Sequence, residues 1–180
     1  SVRHVFVKLY KDGLVYKDKR LSNWDPKLKT TISDLEVIQK EVTGTLWYID
    51  YEIENGDDKI TIATTRPETM LGDTAIAVHP EDKRFTDMIG KFAILPIVKK
   101  RIPIVADEYV KMDQGSGAVK ITPAHDFNDY DLGKRHNLEI INIFNENAEL
   151  NENCPREYQG LDRYTAREKI ISELKEKELL

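Results

Sequence analysis

A chain of 180 residues, 40% hydrophobic and 33% charged, has the size and balance of one ordinary domain that buries its own core. Its net charge of −5 argues against a surface that coats duplex nucleic acid, which rests on neutralising many phosphates, yet allows a grip on a short single strand. No apolar run approaches the roughly 20 residues that cross a bilayer, the opening Ser1-Val2-Arg3-His4 lacks a signal-peptide layout, and one cysteine excludes an internal disulfide framework, so a cytoplasmic chain without a membrane partner is expected.

Val2, Val5, Phe6 and Leu9 share one helical face and Gly13 supplies a left-handed stop, so the chain is predicted to begin on a helix. Leu14 to Leu21 reads as a strand leading to the turn signal Asn23-Trp24-Asp25-Pro26, and Thr30 to Val37 and Thr45 to Ile53 read as further strands. Asn55-Gly56 marks a tight hairpin turn into the strand Lys59 to Ala63. A polar loop, Thr64-Thr65-Arg66-Pro67-Glu68-Thr69, follows directly. Pro67 suits the first turn of a short helix and Gly72 its end, after which Thr74 to Val78 resumes as a strand.

His79 to Ile89 reads as a charged helical turn. Lys91 to Val98, Ile102 to Val105 and Asp107 to Met112 read as strands, and Gly115-Ser116-Gly117 turns the chain into Ala118 to Thr122. After Pro123, Asp126 suits a helix N-cap with Asp129 at the third helical position, an acidic variant of the capping box, and Asn137 ends that helix. Leu138 to Phe144 reads as a strand, Asn145 to Gly160 as a polar loop holding the lone thiol Cys154, and Leu161 to Leu180 as a helix with Tyr164, Ile170, Ile171 and Leu174 near one face. Many short strands with helices at both ends predict an α+β fold with a barrel-like sheet; βαβ alternation and a P-loop are absent.

Chemistry concentrates in two stretches, Thr64 to Thr69 and Lys120 to Tyr130. The first packs hydroxyls at Thr64, Thr65 and Thr69 with the guanidinium of Arg66, groups that hold a ligand hydroxyl, carbonyl, carboxylate or phosphate. Arg66 could equally pair with Glu68 or Asp73. In the second, spacing alone favours helix capping for Asp126 and Asp129 over catalysis, though a capping carboxylate is also fixed and available to a cation. His125-Asp126 and Asp129 invite a metal, but no second histidine stands at ligand spacing, so no metal is expected. His125 reads as hydrogen-bonded to its neighbours. Ser116 precedes a strand, the reverse of a nucleophile elbow, which favours hydrolysis by a positioned water. Lys99-Lys100-Arg101 reads as a solvated turn.

The motifs ATTRPETMLGDTAIAVHPED (Ala63 to Asp82) and GSGAVKITPAHDFNDYDLGKRH (Gly115 to His136) resemble the editing domain of the valyl-tRNA synthetases, and the likeness extends over NWDPKLKTTISDLEV (Asn23 to Val37) and ILPIVKKRIPIVADEYV (Ile94 to Val110). Leucyl enzymes are similar in TTRP and PAHD but typically carry Asp where Glu68 stands. Isoleucyl enzymes typically have a Trp-containing Thr-rich loop and a Gly-rich stretch in place of Ala124 to Phe127. Gly-Ser-Gly stands where Gly-Thr-Gly is common.

The resemblance implies a mixed β-barrel editing domain over residues 1–180, inserted into a class I catalytic body, with 1–40 and 150–180 as junction segments. ATP would be used by that body and no cofactor by this domain. The implied substrate is threonine esterified to the 3′-terminal adenosine of the valine tRNA, handled by a monomer. The implied pocket holds Asp129 on the substrate α-ammonium and Asp126, Lys120 and Thr122 on the threonine hydroxyl and attacking water. Thr64, Thr65, Arg66, Thr69 and His125 would bind the rest. A leucyl- or isoleucyl-type editing domain, or an insert that binds the tRNA end without hydrolysis, are the alternatives.

Overall fold

The computed structural model describes residues 1–180, running in order through α1 (Val2–Lys11), β1 (Asn23–Asp25), β2 (Thr30–Ile32), β3 (Trp47–Ile53), β4 (Lys59–Thr64), β5 (Ala75–Val78), β6 (Phe92–Ile94), β7 (Arg101–Ala106), β8 (Ala118–Ile121), α2 (Phe127–Arg135) and α3 (Arg163–Glu176). Strands β1 and β2 form a separate hairpin, and the other six form one sheet in the order β4-β3-β6-β7-β5-β8. All its pairings are antiparallel except β5 with β7. The edge strands β4 and β8 lie against each other, so the mixed sheet curls into a nearly closed barrel.

Alternation decides what faces inward. Ile49, Tyr51 and Ile53 of β3 and Ile60 and Ile62 of β4 point into the main core, joined there by Ile76 and Val78 of β5. Every residue of β5 is buried because its other face, Ala75 and Ala77, meets a smaller core with Ile121 and Leu132 of α2. Lys120 on β8 sits directly opposite Ile76 in the antiparallel register. Residues opposite each other share a face, so Lys120 projects toward the barrel interior while Ile121 packs under α2.

Helix α3 places Ala166, Ile170 and Leu174 in the main core, whereas Tyr164 stays exposed and Ile171 half-buried. Helix α1 forms as expected and Gly13 adopts φ +72°, but none of its residues is buried. Cys154 departs from the expected polar-loop thiol. It is buried in the main core, and burial pushes the thiol up to about 11.

Three predicted strands do not form. Leu14 to Leu21 has no neighbouring strand to pair with, and Leu14 and Tyr16 remain exposed. At Asp107 to Met112 the Asp107 carboxylate accepts from the Tyr109 amide at 2.9 Å, a local turn that competes with ladder pairing. In Leu138 to Phe144 backbone donors go to side chains, Ile143 N to His125 Nε2 and Phe144 N to Asn142 Oδ1, leaving a single bridge from Phe144 to Leu150. The turn expected at Asn23-Trp24-Asp25-Pro26 lies three residues later, at Pro26 to Lys29. Asn23–Asp25 is strand, and the Asp25 carboxylate caps the amides of Lys27 and Leu28. Strand β2 stops at Ile32 because Ser33 and Glu36 close a capping box on a 3₁₀ turn. The helix expected over His79 to Ile89 contracts to a 3₁₀ turn, Thr86–Met88, behind a turn organised by the Asp82–Arg84 pair.

Candidate active site

A cavity of about 560 Å³ opens between the end of β4, strand β8 and the start of α2. Thr64, Thr65, Arg66, Thr69, Lys120, Thr122, His125, Asp126 and Asp129 all line it. The fold thus brings together every site residue named from the sequence.

The upstream wall is built by the chain leaving β4. Thr64 Oγ1 accepts from the Arg66 amide at 3.1 Å, Pro67 opens a buried 3₁₀ helix, Pro67–Gly72, and Thr69 Oγ1 donates back to the Arg66 carbonyl at 2.9 Å. Arg66 Nη1 reaches the His125 carbonyl at 2.8 Å, clasping the two polar loops together. Its distance to Glu68 is 3.8 Å, because Glu68 is held elsewhere: Arg167 of α3 donates to both carboxylate oxygens at 2.7 and 2.8 Å.

Beneath the cavity lies a buried polar network. Lys120 Nζ donates to Thr69 Oγ1 at 2.8 Å, to Asp73 Oδ1 at 2.9 Å and to Thr122 Oγ1. Thr122 Oγ1 donates to Asp73 Oδ1 at 2.6 Å, and the Tyr51 hydroxyl donates to Asp73 Oδ2 at 2.7 Å. An ammonium has three protons, and all three of Lys120's are used. Lys120 therefore has no spare proton for a substrate and acts as the post that fixes two hydroxyls. The Thr69 and Thr122 protons are committed as well, so toward a ligand these hydroxyls can only accept. Burial raises the Asp73 carboxyl, an effect opposed by Lys120 and by the hydroxyls bonded to it.

The downstream wall is the start of α2. Asp126 is its N-cap, accepting from the amides of Asn128 and Asp129 at 2.9 and 3.2 Å. The expected capping box is not completed. Asp129 Oδ2 accepts instead from the Thr122 amide at 2.9 Å, which ties the helix to the end of β8. Asp129 is 9% exposed, and no cation lies within ion-pair distance of it. Burial pushes its carboxyl up to about 6, with the Thr122 amide and Lys120 pulling the other way.

His125 is a structural member of the wall. Its Nε2 accepts from the Ile143 amide at 3.0 Å and its ring meets Phe144 edge-on, 4.9 Å between centroids. Burial, then Arg66 and Lys120, hold the imidazole neutral, down to about 3. Asp126 and Asp129 join no cluster of three or more acidic, histidine or cysteine side chains. Lys100 and Arg101 pair with Glu139 and Glu54 on the surface, in keeping with a solvated turn.

Asp73, Tyr51 and Arg167 complete the arrangement and were not singled out from the sequence, Asp73 entering only as a possible partner of Arg66. A signal for Asp73 existed: it immediately precedes an apolar strand, and Lys120 is the lone cation in another. Opposite charges in two buried strands must find each other. Arg167 had no such signal, being one charge among many on α3.

Residues 86–174, which include Lys120, Thr122, Asp126 and Asp129, match the family model described as leucyl-tRNA synthetase, editing domain. A valine-tRNA ligase of Pelagibacter ubique is 65% identical over 99% of this chain, and one of Bacillus subtilis is 57% identical over 98%. In each case the chain spans 20% of the relative's length. Among solved structures, a leucyl-tRNA synthetase of Agrobacterium radiobacter in a ternary complex with tRNA and LeuAMS shares the fold, with a TM-score of 0.60 and 24% identity over 97% of this chain and 30% of that one. Fold, family model and relatives agree that the chain belongs to the editing domains of class I aminoacyl-tRNA synthetases, in the valine-tRNA ligase family.

Proposed function

We propose that this cavity hydrolyses threonine from the 3′-terminal adenosine of the valine tRNA, releasing threonine and tRNA. The observation that carries the reading is Asp129, a buried carboxylate facing the cavity with no cationic partner. Ionised at neutral pH, it lacks the counter-charge a buried anion requires, and a substrate α-ammonium supplies one. Beside it, Thr69 and Thr122 offer only acceptor lone pairs. A threonine hydroxyl can donate to the lone pair that Lys120 leaves free on each, whereas the methyl of valine supplies no donor. This is the discrimination that a purely apolar pocket does poorly, the valine enzymes being a known example of that limit.

Asp126 keeps an oxygen beyond the one spent on the helix amides, and it positions the attacking water. Water adds to the ester carbonyl, the ribose oxygen of the terminal adenosine leaves and takes up the proton that the water gives up, and no cofactor is required because the ester is already activated. Thr64, Thr65 and Arg66 hold the ester carbonyl and terminal adenosine. Lys120 is a positioning residue through the three groups it fixes.

The parent enzyme is a cytoplasmic monomer whose catalytic body uses ATP. Residues 1–40 and 150–180 join it to this domain, a reading supported by the bare apolar face of α1; the inner face of α3 belongs to the domain's own core. In the full-length enzyme, Asp129→Ala is expected to slow threonine release by roughly 30-fold or more, the loss of a desolvated charge pair. Unchanged release of threonine would remove Asp129 from the mechanism. Release of leucine from its tRNA, in place of threonine, would instead favour the leucyl-type alternative.

A further inference from the structure

A second cavity, about 860 Å³, lies on the other side of Arg66, which borders both. Lys19, Arg20 and Arg163 also border it. None of these three is in an ion pair; Arg163 donates to the Tyr164 hydroxyl at 3.4 Å and its guanidinium lies 4.7 Å from that ring. Two carboxylates, Glu146 and Glu152, stand against four cations, a local excess of positive charge on a chain whose net charge is −5. Three aromatic rings, Trp24, Tyr130 and Phe144, complete the lining. Trp24 is 39% exposed, and its Nε1 donates to the Glu146 carbonyl at 2.9 Å, which pins the indole at the rim; Phe144 is half-buried.

Unpaired guanidinium and ammonium groups beside anchored aromatic rings are the combination that tracks a phosphodiester backbone while stacking its bases. An acidic peptide would use the cations but has no need of the rings. We propose that this second cavity binds the single-stranded nucleotides that precede the terminal one, with phosphates on Arg20, Lys19 and Arg163 and a base on Trp24. Arg66 forms the partition, fixed in place by its bond to the His125 carbonyl. The inference rests on the first cavity's taking the terminal aminoacyl nucleotide. It adds that the strand reaches that cavity past Arg66, so an acidic domain grips RNA over one short segment.

The test measures anisotropy of a 5′-labelled single-stranded RNA hexanucleotide with a free 3′ end, titrated with this chain over a range of salt. Replacing Arg20 and Arg163 together by Glu is expected to weaken binding at least about tenfold and to flatten the slope of log K against log salt by about 0.7 for each phosphate no longer neutralised. Arg20→Lys, which keeps the charge, should retain most of the affinity. Trp24→Ala should weaken binding by roughly tenfold with the salt slope unchanged, since stacking carries no charge. Unchanged affinity in the charge-reversed variant, no binding by the unaltered chain, or equal affinity for an acidic peptide at the same residues overturns the proposal. The threonyl ester of adenosine alone separates this from the reading of the first cavity. It is too short to reach the second, so the Arg20 and Arg163 variants should hydrolyse it normally. Failure of the unaltered chain to hydrolyse it would count against the first cavity's role, whatever the RNA result.

Discussion

Arg167 on α3 closes a two-bond clasp on Glu68, 99 residues earlier in the chain, at the base of the substrate loop. Glu68 is 1% exposed, so the clasp is what permits a charge there. Removing Arg167 leaves Glu68 buried with only the longer 3.8 Å contact to Arg66, at a cost of up to about 3–5 kcal/mol. Arg167→Ala should therefore lower the urea midpoint markedly, and adding Glu68→Gln should restore part of the loss. Equal midpoints for Arg167→Ala and the unaltered chain would show that α3 does not support the loop.

Asp129 should give stability and activity opposite dependences on pH. Its carboxyl is raised to about 6 from the usual 3.8, so the fold favours the neutral acid. That contribution is complete below about pH 4 and is lost as pH rises through 6. Asp129→Asn removes the loss and should be more stable than the unaltered chain at pH 7.5, by on the order of 1–3 kcal/mol. The advantage should shrink toward pH 4. His125, held neutral at low pH, shifts both proteins alike, so the difference between their urea midpoints isolates Asp129. Threonine release should rise through the same pH window in the unaltered protein and be lost in the variant.

Lys120→Met tests whether Lys120 is a post. It removes three hydrogen bonds at once and strands the Asp73 carboxylate, which is 0% exposed. A destabilisation of about 3–5 kcal/mol is expected. Asp73→Asn combined with Lys120→Met should be less destabilised than Lys120→Met alone, because the stranded charge is gone. Threonine release should remain absent in both, since Thr69 and Thr122 have lost their common anchor.

Gly133 sets how closely α2 approaches the end of β8. A Cβ there would stand 2.8 Å from Pro123 Cγ, closer than packed carbons tolerate. Gly133→Ala should push the helix outward, cost about 1–3 kcal/mol in urea unfolding, and loosen the Asp129 bond to the Thr122 amide. Deacylation measured below the unfolding transition should fall with it.

The barrel and the two polar loops could be read from the chain because each has a local cause. Alternation wrote β3 and β4, Asn55-Gly56 wrote their turn, Pro67 wrote the 3₁₀ entry and Asp126 wrote the cap. What could not be read depends on partners distant in sequence. Leu14 to Leu21 has strand-like composition but no neighbour to pair with, and Leu138 to Phe144 spends its amides on His125 and Asn142. Asp129 has the spacing of a capping-box residue, yet it turns to the Thr122 amide because Pro123 brings that strand end alongside the helix. The cation-lined second cavity joins residues 19–20, 24, 66, 144 and 163, and no window of sequence shows that assembly.

The most direct measurement of the central claim is deacylation of valine tRNA carrying threonine against the same tRNA carrying valine, each incubated with this chain. The paired acceptor hydroxyls of Thr69 and Thr122 predict rapid release of threonine and slow release of valine, and the unpartnered Asp129 carboxylate, which meets the α-ammonium common to both, predicts that Asp129→Asn slows both. Equal rates for the two esters, or release of valine alone, would contradict it.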